Sequence, residues 1–113
     1  MPQSLLPNYL RTYRKRVGFT QAEVAFLLGS ETAGQVSRYE HFRRVPSLQT
    51  ALAYEAIFRT PVRALLGGEY RKVESKLRRR AERLIARLTR GQADQSTLRK
   101  VSALRTITAA APA

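Results

Sequence analysis

FTQAEVAFLLGSETAGQVSRYE, residues 19–40, decides the fold because it spells two short helices and the tight turn that joins them. Thr20-x-x-Glu23 is a capping box: the threonine hydroxyl accepts from the backbone N–H of Glu23, and the glutamate carboxylate reaches back to the N–H of Thr20. Phe19 and Val24 flank the box as a hydrophobic staple. Val24, Ala25 and Leu28 follow at helical spacing as an inward face, and Gly29 supplies the left-handed residue that stops the helix. A second helix is expected from about Thr32 to His41, with Val36, Tyr39 and Glu40 on one side and Gln35 and Arg38 on others.

Outward from this pair the punctuation stays helical. A first helix is predicted from Pro7-Asn8 to Val17, with Tyr9, Leu10, Tyr13 and Val17 as its apolar stripe, Arg11, Arg14, Lys15 and Arg16 opposite, and Gly18 as its stop. Ser47 caps a fourth helix whose apolar surface comes from Leu48, Ala51, Leu52, Tyr54 and Phe58. Pro61 takes the first position of a short fifth helix, in which Val62, Leu65 and Leu66 are closed off by Gly67-Gly68. Beyond them, Tyr70, Val73, Leu77, Ala81, Leu84 or Ile85, and Leu88 recur every three or four residues in one long amphipathic helix. Gly91 breaks it, Ser96 caps a last short helix through Leu104, and ITAAAPA is a frayed tail. With no stretch of period-two alternation the chain reads as all-α, divided into residues 5–66 and a basic helical extension over 67–113.

Charge narrows the function. The 113 residues carry 21 Lys and Arg against 8 Asp and Glu, a net charge of +13. Residues 1–66 hold 9 basic and 4 acidic side chains, and residues 67–113 hold 12 and 4, so the extension is the more cationic part. Such a field calls for an anionic partner, and nucleic acid comes first because neutralising phosphates releases condensed counterions. The absence of cysteine removes disulfides and thiolate metal sites, and one histidine, His41, cannot build a metal cluster alone. No Ser-His-Asp set, Gly-rich phosphate loop or paired carboxylates can be assembled, so neither an enzyme nor a cofactor is expected. The segment MPQSLLPNYLRTYRKR lacks an apolar run of signal-peptide length, and no 18-residue apolar run occurs, so a soluble cytoplasmic protein with no membrane partner is the expectation.

Thr20-Gln21-Ala22-Glu23, Ala25, Leu28-Gly29, Val36-Ser37-Arg38-Tyr39-Glu40, Pro46-Ser47-Leu48 and Leu65-Leu66, with Arg14 and Gly18 before them, make the chain resemble the Xre, or lambda-repressor-like, helix-turn-helix family. The resemblance covers roughly half the chain and implies a five-helix DNA-binding domain with its third helix in the major groove. It places Thr32, Ala33, Gln35 and Arg38 toward base edges, where an amide suits adenine, a guanidinium suits guanine and the Ala33 methyl suits thymine. It places Gln21, Ser37, Arg43 and Arg44 toward phosphates, Gln21 aided by the free N–H groups at its helix terminus. It also pairs Glu40 with Arg14 of the first helix as a structural ion pair. Three departures stand out: one extra residue between Gly29 and Val36, Phe42 where a Gly is usual, and Glu55 where a small apolar residue is usual. Phe42 either fills a core gap or forms part of a dimer contact.

The implied function is a sequence-specific transcriptional regulator, a repressor acting as a homodimer on double-stranded DNA. An interaction protein of the antitoxin type is the alternative, in which the same domain binds DNA and the C-terminal extension holds a protein partner. The apolar seam of the basic helix serves self-association or packing on the domain; lying on a membrane with Arg78, Arg79 and Arg80 toward lipid phosphates is a third use of such a helix.

Overall fold

Each helix boundary in the computed structural model, which describes residues 6–29 and 32–109, follows from a local backbone device. Seven helices and no strand occur among the described residues: α1 (Leu10–Val17), α2 (Gln21–Leu27), α3 (Ala33–Glu40), α4 (Leu48–Phe58), α5 (Val62–Leu65), α6 (Gly67–Thr89) and α7 (Gln95–Ala109). The chain divides into two units, one ending at Tyr70 and the other starting at Arg71.

In the first unit α1 starts later than the pattern suggests, at Leu10, because the Asn8 side chain stays outside the helix as its anchor. Its Oδ1 accepts from the Leu10 N–H at 3.1 Å while its Nδ2 donates to the Tyr39 carbonyl at 2.8 Å. Gly18, at φ 97, closes α1, and Phe19 N–H donates back to the Arg14 carbonyl at 3.2 Å. The capping box of α2 is complete, with Glu23 N–H to Thr20 Oγ1 at 3.0 Å and Thr20 N–H to Glu23 Oε1 at 2.8 Å. Gly29 follows α2 at φ 98. Of the stretch between Gly29 and Val36, where one extra residue is expected, Ser30 and Glu31 lie outside the described residues. Ser47 caps α4 by accepting from the Thr50 N–H at 3.2 Å.

Two ends differ from the usual glycine rule. The turn after α3 has both Schellman bonds, Phe42 N–H to the Tyr39 carbonyl at 3.2 Å and Arg43 N–H to the Arg38 carbonyl at 2.9 Å. Phe42 therefore holds the left-handed position, at φ 64, that a glycine would occupy without strain. It is 45% exposed, so it does not fill a core gap. Arg59 repeats the device after α4 at φ 53. Pro61 is the cap of α5 rather than its first residue, and it has no side chain to accept from the helix. Glu55 supplies that acceptor from α4, its Oε1 taking the Val62 N–H at 2.9 Å. That bond accounts for an acid where a small apolar residue is usual.

The core of the unit is Leu10, Val24, Ala25, Val36, Tyr39, Ala51, Tyr54, Leu65 and Leu66, with Tyr13, Phe19, Leu28, Phe58 and Val62 packed on it. Tyr54 joins its aromatic members, edge-on to Tyr39 at 6.3 Å and stacked on Phe58 at 6.0 Å. Val17, Leu48 and Leu52, read as apolar packing surface, are instead exposed.

Gly67 and Gly68 open α6 instead of ending α5. The Gly68 and Glu69 N–H groups donate to the carbonyls of Leu6 and Pro7 at 3.0 and 3.2 Å, so the N-terminal segment satisfies the first donors of the helix. A Cβ on Gly68 would collide with the backbone of Leu6 and Pro7, so a side chain has no room there.

In the second unit α7 is longer than predicted. Asp94, not Ser96, caps it, with Oδ1 accepting from the Thr97 N–H at 2.8 Å, and helix persists past Leu104 to Ala109. Of the expected frayed tail, Ile107 to Ala109 are helical and Ala110 to Ala113 lie outside the described residues.

Candidate nucleic-acid interface

The candidate interface comprises the N-terminus of α2, the outer face of α3 and the turn that follows. Glu40 holds these parts together. Its buried carboxylate accepts from Arg14 Nε at 2.5 Å and Arg14 Nη2 at 3.1 Å, and from Gln21 Nε2 at 3.2 Å. Arg14 Nη1 donates to the Phe19 carbonyl at 2.9 Å, so one ion pair joins α1, the start of α2 and the end of α3. The hydrogen bond to Glu40 raises the Arg14 pKa above its ordinary value, against the opposing effect of burial.

With Val36, Tyr39 and Glu40 buried, Gly34 and Arg38 are the exposed residues of α3, and Ala33, Gln35 and Ser37 are half-buried. Thr32 caps the helix, Oγ1 accepting from the Gln35 N–H at 3.2 Å. Gln35 and Arg38 are not independent. Arg38 Nη1 donates to Gln35 Oε1 at 3.1 Å, and Gln35 Nε2 donates to the Tyr39 hydroxyl at 3.4 Å. The pair is thus held from the core side before any ligand arrives, and Arg38 keeps further N–H donors for a planar acceptor pair.

At the C-terminal end His41 Nδ1–H donates to the Ser37 carbonyl at 2.8 Å and lies 3.3 Å from Ser37 Oγ. His41 is an exposed cap of α3. The Schellman turn then reverses the chain, so that the exposed Arg43 and Arg44 follow directly on the last turn of the helix. At the other end, Thr20 and Glu23 consume each other's donors but leave the Gln21 and Ala22 N–H groups at a helix terminus that favours anions. The bond from Gln21 to Glu40 went unread in the sequence, because it spans 19 residues and no local pattern marks it.

Among the described residues, no group of His, Cys, Asp and Glu is arranged to hold a metal ion, and no helix is long and apolar enough to cross a membrane. A capped helix presenting an amide and a guanidinium, set against a second helix whose N-terminus faces outward, defines a DNA-binding helix-turn-helix domain. Residues 10–65 match the helix-turn-helix family model, and through this unit the chain belongs to the Xre, lambda-repressor-like helix-turn-helix family. It is a DNA-binding transcription regulator of the helix-turn-helix type. No curated protein and no solved structure matches the chain.

Proposed function

We propose that the protein is a sequence-specific repressor that binds an operator as a homodimer, each copy laying α3 in the major groove. The observation that carries this reading is the Gln35–Arg38 pair on α3, in which Arg38 is exposed and the half-buried Gln35 is tethered through Tyr39 to the core. Such preorganisation lowers the entropy lost when the side chains meet base edges. Arg38 takes a guanine, Gln35 an adenine, Ala33 a thymine methyl, and Thr32 adds a hydroxyl at the start of the helix. Gln21 and Ser37, with Arg43 and Arg44 after the helix, hold phosphates and set the register. Arg14 and Glu40 brace the arrangement without touching DNA. Two neighbouring apolar residues of α6, Val73 and Leu77, are exposed and offer surface for self-association.

Selection of bound duplexes from a random pool tests the reading. Enrichment of an inverted repeat with half-sites about 10 base pairs apart is expected. Arg38→Ala and Gln35→Ala should each relax one position per half-site, losing about 1–3 kcal/mol of discrimination there. Placing the selected site across a promoter should lower expression of a reporter. Enrichment of the same sequence with undiminished preference by both variants would overturn the base-reading assignment.

A further inference from the structure

The long helix α6 carries a pattern that the DNA-reading unit does not need. Lys76, Arg79, Arg80, Arg83 and Arg87 follow one another at intervals of one to four residues, all five are exposed, and the exposed Arg90 follows in the turn after the helix. At 3.6 residues per turn the five helical cations fall within an arc of about 100°, and at 1.5 Å per residue the ridge is about 17 Å long. No acidic residue shares that arc between Lys76 and Arg87. Glu82 lies off one edge of the arc, and Glu74 lies beyond the apolar stripe, where it pairs with Arg78 at 3.9 Å. The unit that holds the ridge, from Arg71 onward, contains 12 basic and 3 acidic side chains.

We infer that this ridge is a second nucleic-acid contact, a sequence-independent clamp on the phosphate backbone of the duplex engaged by α3. The inference rests on the DNA-binding reading of the first unit for its partner and adds a distinct surface. Three observations carry it. Charge complementarity is the first: a duplex presents one negative charge per ~1.7 Å of axis, a continuous line that matches a row of cations. Composition is the second, since four of the five cations of the ridge are arginine, whose planar fork binds phosphate in two-point fashion and is cheaper to dehydrate than an ammonium. Covalent continuity is the third. α6 starts at Gly67, inside the unit that binds DNA, so a duplex held by that unit is the polyanion at the highest effective concentration for the ridge. An anionic membrane shares the phosphate chemistry, but the apolar stripe of α6 contains neither Trp nor Phe to anchor it in lipid.

The test uses the full chain with Arg79, Arg80, Arg83 and Arg87 all changed to glutamine, which keeps helix propensity and length while removing charge. Far-UV circular dichroism first establishes that helix content equals that of the parent. Binding is then measured against salt on a random duplex and on a selected one. The slope of log affinity against log salt should fall by about 0.9 for each phosphate that is no longer neutralised, between about 3 and 4 in all. Preference for the selected duplex over the random one should stay the same. An unchanged slope with intact helix content would overturn the clamp. So would a lost association with phosphatidylserine vesicles accompanied by an unchanged DNA slope, which assigns the ridge to lipid. The two readings fail separately: a reduced slope on random DNA with no enriched sequence would keep the clamp and sink sequence-specific recognition, whereas lost preference in Arg38→Ala leaves the slope argument untouched.

Discussion

One carboxylate, Glu40, serves three helices, and removing it should show how much of the domain depends on that junction. Its side chain is 1% exposed and that of Arg14 only 11%, so Glu40→Ala leaves a guanidinium largely out of water with its main anion gone. The expected cost is about 3–5 kcal/mol by urea denaturation at neutral pH. Replacing both partners with methionine should cost less than the sum of the single losses, because no uncompensated charge then remains. Equal additive losses would mean that the two side chains act independently. Arg59 makes the opposite case. Exposed at φ 53, it spends conformational energy without a compensating contact in the core, so Arg59→Gly should raise stability by about 0.5–1 kcal/mol. An unchanged or lower melting temperature would show that its side chain holds something worth as much as the strain.

Element boundaries separate what a sequence carries locally from what it does not. The capping box of α2, the serine cap of α4 and the glycine stops after α1 and α2 act over at most five residues, so their spacing was sufficient to read them. Gly67-Gly68 looked like a stop because glycine disfavours helix interiors, yet the carbonyls of Leu6 and Pro7, some sixty residues away in sequence, occupy the space and the donors there. The outer residues of α3 were legible from helical periodicity. Their mutual tether through Tyr39 was not, since it depends on rotamers set by the core. Gly67→Ala and Gly68→Ala distinguish propensity from packing. Among the described residues, a Cβ on Gly67 would meet only the Tyr9 ring, at 3.4 Å, so that substitution should be neutral or slightly stabilising. On Gly68 it collides with backbone and should cost about 1–3 kcal/mol, visible as a lower denaturation midpoint. For α7 the cap itself is titratable. Hydrogen bonds from the backbone and side chain of Thr97 lower the Asp94 pKa, so its contribution is present above the ordinary carboxylate value and is lost as pH falls through the lowered one. Helical ellipticity should decline from about pH 4 downward in the parent, and Asp94→Asn should remove that component of the decline while retaining a cap. Identical acid titrations of the two proteins would exclude Asp94 as its source.

At the scale of the whole molecule, apolar burial is concentrated before Tyr70, whereas charge is concentrated after it. The nine-residue core cluster lies entirely in the first unit. α7 has no buried residue, and Ala81 is the buried apolar residue among the described part of the second unit. A helix of 15 residues is marginal when little tertiary burial supports it, and a strongly cationic segment repels itself. The two units should therefore lose structure at different temperatures. The chain supplies its own reporters, because it contains no tryptophan and all five tyrosines lie at or before Tyr70. Tyrosine fluorescence follows the first unit alone, while ellipticity at 222 nm follows helices in both. On heating at moderate salt, ellipticity should begin to fall over a broad range below the tyrosine transition, and the remainder should drop with it. Superimposable curves from the two signals would instead show that the cationic helices melt as part of one cooperative structure with the DNA-binding core.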